Sequence, residues 1–269
     1  MDVVCVGDCG VDHYLPSGER LFGGITANFA RHARDVFPVG DRIRIVSSVG
    51  DDDAATLVQA SLADTSIDCL VTQQQGATPV QYIRLEPNGE RTFVRYDEGV
   101  LGHFRFTKDQ VDAIADSDLL VTPVYLQIAG LFDALMSIGT RGRVSVDFAD
   151  FQQHPDFGLL EKYIDRIDVG FFGMSRTDDL SIGRIRELAA RHGKLLVVTL
   201  GADGSRAFDA DLQIDCAAVA VDEVVDTTGA GDAYSAAFLS AWLHGAGVAE
   251  AMQRGAQLAA GVVARMGSH

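Results

Sequence analysis

Asp226-Thr227-Thr228-Gly229-Ala230-Gly231-Asp232, followed by Ala233-Tyr234-Ser235-Ala236-Ala237-Phe238-Leu239, decides how the rest of the chain is read. Small residues come first, then an acid, then an uninterrupted helical run. Gly229 and Gly231 lack side chains, so their peptide N–H groups can come close to a ligand. A helix starting here leaves its first N–H groups unpaired and carries partial positive charge at that end. The combination is an anion site suited to a phosphate. Asp232 is out of place there, because a carboxylate facing a phosphate repels it. Accepting the proton of a hydroxyl that attacks the phosphate would give it a task. Capping the helix is the plainer reading of one acid at a helix start. The flanking glycines and the second acid, Asp226, favour the chemical reading.

The heptad resembles the D-T-x-G-A-G-D signature of the ribokinase-like (PfkB) sugar kinases and matches it at every fixed position. The resemblance implies that Asp232 is the catalytic base and that Gly229, Ala230 and Gly231 form the anion hole. It also implies ATP as donor with Mg2+, and an α/β fold: a three-layer α/β/α, mostly parallel sheet with a small β lid. Asp226 and Thr228 stand where related kinases contribute to a monovalent-cation site, with Thr228 also on the nucleotide side. Other ligands of that site come from beyond the last helix in those relatives, so weak or absent K+ activation is expected.

Working outward, Val3-Val4-Cys5-Val6 reads as a buried parallel strand stopping at Gly7. Ligands of open α/β sheets bind at that edge, so Asp12 would point into the crevice and accept sugar hydroxyls. Gly23-Gly24-Ile25-Thr26-Ala27-Asn28-Phe29-Ala30 then lets backbone approach a ligand and aims the Asn28 amide at it. It resembles the family's G-G-x-x-x-N-x-A signature through Gly23, Gly24, Asn28 and Ala30. Ile25 and Thr26 stand where ribokinases proper carry Lys and Gly, which argues against ribose. Its helix ends before Pro38.

Thr78–Tyr96 changes character: β-type runs flank Glu86-Pro87-Asn88-Gly89-Glu90, a hairpin signal. This stretch predicts a lid formed from about 12–22 and 78–100 on a single kinase domain spanning 1–269. Such a lid excludes water, and its open edges invite a homodimer. Arg84, Arg91 and Arg95 are candidates for substrate contact, and Arg95 is the one assigned to it.

From Thr107 onward strands and helices alternate, which predicts a parallel sheet covered on both faces. Thr199-Leu200-Gly201-Ala202-Asp203-Gly204 follows one strand; it lacks the Lys-Ser/Thr pair of a P-loop. It resembles the family's T-x-G-x-x-G nucleotide loop through Thr199, Gly201 and Gly204. The family's magnesium-organising N-x-x-E is replaced by Ser175-Arg176-Thr177-Asp178, which leaves Asp178 to act on the metal through a water. No strand–G-x-G-x-x-G–helix unit occurs, which disfavours a dinucleotide enzyme.

Net charge is 22 − 38 = −16 over 269 residues, which opposes nucleic acid and anionic membrane partners. Cys5, Cys9, Cys69 and Cys216 show no zinc spacing and read as free thiols of a cytoplasmic protein. Gly267-Ser268-His269 reads equally as native chain or as a cloning remnant.

Gly7-Asp8…Val11-Asp12, Glu98-Gly99-Val100 and Asp147-Phe148-Ala149-Asp150 are similar to the fructoselysine 6-kinase branch of the family. That branch implies a sugar-amine acceptor, with Glu98 as a candidate amine ligand. The alternatives are a nucleoside kinase of the same fold and a catalytically inactive sugar-binding regulator.

Overall fold

The computed structural model describes residues 1–63, 65–86, 89–153 and 155–268. Pro87 and Asn88, two residues of the expected hairpin turn, lie outside the described residues. In chain order the elements are β1 (Asp2–Val6), β2 (Gly10–Leu15), β3 (Arg20–Gly23), α1 (Ile25–Val36), β4 (Arg42–Val49), α2 (Asp53–Ala63), β5 (Asp68–Gln73), β6 (Val80–Leu85) and β7 (Arg91–Asp97). Then come α3 (Lys108–Ala115), β8 (Leu119–Pro123), α4 (Ala129–Ile138), β9 (Arg143–Asp150), α5 (Phe157–Tyr163), β10 (Val169–Gly173), α6 (Asp179–His192), β11 (Leu195–Thr199), β12 (Ser205–Asp209), β13 (Leu212–Cys216), α7 (Ala230–Leu243) and α8 (Val248–Val263).

Nine strands form the main sheet in the order β13-β12-β11-β10-β9-β8-β1-β4-β5. All neighbours are parallel except β11–β12 and β12–β13. β1 shows why the strands read as continuous apolar runs. Val3 and Cys5 join one buried cluster, with α1 and α7; Val4 and Val6 join another, with α4 and α6. Both faces are covered, so alternation in polarity disappears. The fold is the three-layer α/β/α, mostly parallel arrangement of ribokinase-like proteins.

A second sheet of four strands, β3-β2-β6-β7, stands apart from the first. β2 and β6 run parallel; the two outer pairs are antiparallel. It is built from the segments expected to form the lid. No helix among the described residues is long and apolar enough to cross a membrane.

Asp51, Asp52 and Asp53 read as helix-end acids, and Asp52 does accept from Ala55 N at 3.0 Å. Its other contacts tie α2 to the segment entering β6: it also accepts from Thr78 N and Oγ1.

Candidate active site

The C-terminal ends of β1, β9, β10 and β11, the inner face of the lid and the start of α7 enclose one crevice of about 1430 Å³. Sites for a single small ligand run to about 1,000 Å³, so this one has room for two. Asp12, Gly24 and Asn28 line one part; Thr199, Gly201, Gly204 and Ala256 of α8 line another; Gly229–Asp232 lies among them.

The loop 226–229 turns into α7 at Gly229, whose φ of +78° is a left-handed conformation. A Cβ there would also sit 2.5 Å from Ser268 Cβ. Gly231 exposes its backbone to the crevice, and the first N–H groups of the helix have no intrahelical acceptor. Asp232 is only 7% exposed yet lines the crevice. Its Oδ2 accepts from Asn28 Nδ2 at 2.8 Å, so the two signature motifs meet in one hydrogen bond. Burial pushes the Asp232 carboxyl well above the usual carboxylate range and Asp147 adds to the rise, against the opposing Asn28 bond and the Arg91 charge. Proton affinity of this kind suits a group that must take a proton.

Asp226 is fully buried, and its carboxylate accepts from Tyr14 Oη at 2.7 Å, Thr228 N at 2.8 Å and Gly267 N at 3.0 Å. Those donors knit β2, the loop and residue 267 together. This contrasts with the cation-ligand expectation for Asp226: its oxygens are already engaged by the protein. Thr228 lines the crevice, buried, and among the described residues no hydrogen bond reaches its Oγ1.

Asp12 is 4% exposed, and among the described residues no donor pairs with its carboxylate. Burial, then the neighbouring Asp8, push it up to about 8, with Arg91 opposing. Gly23 is needed beneath it: a Cβ there would sit 2.3–2.5 Å from the Asp12 carboxyl atoms. Gly24, at φ +105°, starts α1 but offers no side-chain cap. The cap comes from Asp8, whose two oxygens accept from Ile25 N and Thr26 N, each at 3.1 Å.

On the lid both Arg91 and Arg95 line the crevice, but their guanidinium groups are held differently. Residues in register share a face and faces alternate along a strand. Asp12 pairs with Gln81, Gln81 with Tyr96, Ile83 with Phe93 and Leu85 with Arg91, so these side chains face inward together. A bulge between the Tyr82 and Ile83 pairings inserts Val94. Without it Arg95 would share the face of Arg91 and Phe93. With it, Arg95 pairs with Tyr82 instead, its guanidinium over the Tyr82 ring at 4.2 Å and paired with Asp97 at 2.7 Å while the residue still lines the crevice. Arg91 reaches the loop before α7: its Nη1 donates to Thr227 O at 2.7 Å and Oγ1 at 3.1 Å. The expectation for Glu98 is corrected. It precedes the short turn Gly99–His103, packs against Gly102 and does not line the crevice.

On the other side, Thr199, Gly201 and Gly204 all line the crevice. Gly204, at φ +92°, passes so close to Cys216 O that a Cβ would lie 2.2 Å from it. The Asp178 expectation is not matched. Its carboxylate caps α6 by accepting from Ser181 N at 3.2 Å, and it does not line the crevice. Among the described residues no group of three or more His, Cys, Asp or Glu is arranged to hold a metal ion.

Arg91 was one of three lid arginines in sequence, and only the bulge distinguishes it from Arg95. Asp147 was noticed only within its family-like stretch and given no role: it lies inside β9, burial raises its carboxyl to about 6, and it lies close enough to Asp232 to raise it. The cap on α1 escaped because Asp8 lies 17 residues away in sequence.

A model of the pfkB family of carbohydrate kinases matches residues 1–140 and 171–269. Fructoselysine 6-kinase of Escherichia coli (strain K12) is 28% identical over 256 residues, 95% of this chain and 94% of that one. Among solved structures, adenosine kinase from Sinorhizobium meliloti superposes with a TM-score of 0.84 at 21% identity, covering 100% of this chain and 95% of that one. Arabidopsis thaliana ribokinase complexed with ribose and ATP gives 0.77 at 20% identity, with 99% and 93% covered. The chain belongs to the pfkB family of carbohydrate kinases, phosphotransferases that act on a sugar hydroxyl.

Proposed function

We propose that the chain is an ATP-dependent kinase of aminated sugars of the fructoselysine type. The observation that carries this reading is the charge of the crevice. Asp8, Asp12, Glu90, Asp147, Asp150, Asp156 and Asp232 line it against two cations, Arg91 and Arg95, and Arg95 is paired with Asp97. A substrate bearing ammonium groups complements such walls. Asp147 accepts from Ala149 N and Asp156 caps α5 through Leu159 N, whereas Asp150 is held, among the described residues, only by the Gln153 side chain and is the acid of the β9 end most open to a substrate amine.

In this reading the acceptor hydroxyl lies between Asp12 and Asp232. Asp232 takes its proton, the oxygen bonds to the γ-phosphorus, and the bond to the ADP oxygen breaks with its electron pair leaving on ADP. The backbone around Gly231 stabilises the charge on the phosphoryl oxygens. Thr199, Gly201, Gly204 and Thr228 hold the nucleotide. Magnesium is bound largely through phosphates and waters, so it would be held with the triphosphate at the anion hole, where it neutralises donor charge. Asp150 is the acid assigned here to the substrate amine, in place of Glu98.

The test is an ATP-turnover panel of fructoselysine, fructose, ribose and adenosine. The highest kcat/KM is expected for the aminated ketose. A clear preference for adenosine would replace this reading with a nucleoside kinase, for which Phe93, Tyr96 and Tyr125 on the crevice wall offer ring faces.

A further inference from the structure

We infer that Ser268 is a positioning residue for Asp232, acting through the amide of Asn28. The inference rests on the reading of Asp232 as the base. Ser268 Oγ donates to Asn28 Oδ1 at 2.8 Å, and Asn28 Nδ2 donates to Asp232 Oδ2 at 2.8 Å. The three residues lie 240 and 204 positions apart in sequence, yet all are buried. Ser268 is itself held in place. His32 Nε2 meets its carbonyl oxygen at 2.8 Å, and a carbonyl only accepts, so that nitrogen carries the proton. Gly267 N donates to Asp226, and the missing Cβ of Gly229 makes the room that Ser268 fills.

An asparagine amide has an accepting end and a donating end and can turn over. An ionised carboxylate only accepts, so it needs the donating end. A hydroxyl that donates into Oδ1 engages the other end and leaves Nδ2–H aimed at Asp232. With alanine at 268 the buried Oδ1 has no donor, and the amide is released. Asp232 then loses a bond that favours its ionised form. The other groups acting on it remain: Asp147 from β9 and Asp8 after β1 raise its proton affinity, and Arg91 from β7 lowers it. Around His32 the charges are Asp35, Arg31 and Arg265, and burial holds the ring below its usual range. A base works deprotonated, so losing the donor moves the acid limb of the rate profile to higher pH.

The experiment compares Ser268→Ala with wild type in the full chain, following the Asp232 carboxyl carbon by NMR and kcat against pH. Asp232 is assigned by its loss in Asp232→Asn. The midpoint of Asp232 should move up by about one pH unit, with kcat on the acid side of the midpoint falling about tenfold and recovering as pH rises. KM for ATP should be unchanged, and Ser268→Ala should add nothing in an Asn28→Ala background. An unmoved midpoint, or an equal fall in kcat at every pH, would overturn the proposal. Should the alanine variant not fold, Ser268→Cys, a weaker donor of similar size, carries the same comparison with a smaller displacement. The NMR midpoint does not depend on turnover. If Asp232→Asn keeps its activity, the base reading fails on its own, whatever Ser268 does to the midpoint.

Discussion

Asp12 and Asp232 are charged groups held where charge is costly, and that cost is measurable. The folded-state proton affinity of Asp12 is raised, to about 8 from 3.8, by burial first and by Asp8 second. Between those values the folded state holds a proton that the unfolded state has lost, so stability falls as pH rises through that window. Asp12→Asn should therefore raise the Tm of the ligand-free protein at pH 8 and leave it nearly unchanged at pH 4. Each kcal/mol relieved corresponds to about 2–4 °C. The same substitution should raise KM for the sugar; a Tm unchanged at pH 8 would show that Asp12 is not under this strain. For Asp232→Asn, nucleotide affinity should persist while turnover falls about 10²–10⁴-fold, the usual worth of a positioned base, measured by calorimetry and steady-state kinetics. Asp226 predicts the opposite of a metal dependence. With three protein donors on its carboxylate, exchanging potassium for a large organic cation should change the rate by less than about tenfold. These residues were legible because each sits in a local motif whose chemistry is unusual for its place. Glu98 and Asp178 fall outside the crevice, and this was not legible because no local pattern reports whether an acid is already used as a cap or packs elsewhere; none reports the bulge that sends the Arg95 guanidinium to Tyr82 and Asp97.

The lid strands were foreseeable from β-type runs around a turn, and the alternating strands and helices after Thr107 foretold the parallel sheet. β5 and α5 were not foreseen. β5 is an edge strand with partly exposed side chains, and α5 is a single short stretch of seven residues, too short for a helical period to stand out. What no sequence pattern reported is that the lid hairpin is tied to the catalytic loop. Thr227 N donates to Gly89 O at 3.2 Å, and Arg91 donates back to Thr227. The lid hairpin and the loop that starts α7 are thus held together through Thr227. Arg91→Ala should lower kcat/KM about ten- to hundredfold, the scale of losing a charged hydrogen bond at a buried site. Amides of β6 and β7 should also exchange faster with deuterium. Arg95→Ala, whose guanidinium is held by Tyr82 and Asp97 rather than by the loop before α7, should stay within a few fold of wild type. Equal effects from the two substitutions would mean that the bulge does not set which arginine serves the site.

The whole molecule carries a charge of −16, and its crevice concentrates acids where the acceptor would enter. A field of that sign draws in cations and does nothing for neutral sugars. For an aminated ketose, kcat/KM should therefore fall several-fold as ionic strength rises, because the screening length shrinks from about 30 Å at 0.01 M to about 10 Å at 0.1 M. The value for fructose should stay flat over the same range. Salt alone does not distinguish a general field from a specific contact, so the substitutions must be read with it. Asp150→Asn should lower the ratio of kcat/KM for aminated over plain sugar by about ten- to hundredfold at any salt, as for a lost hydrogen bond to a charged group. Glu98→Gln, outside the crevice, should leave that ratio where it is. If the ratio responds to Glu98 and not to Asp150, the amine lies on the other side of the lid strand. If it responds to neither, and the salt dependence is the same for both sugars, the acids of the crevice serve the protein and not the substrate.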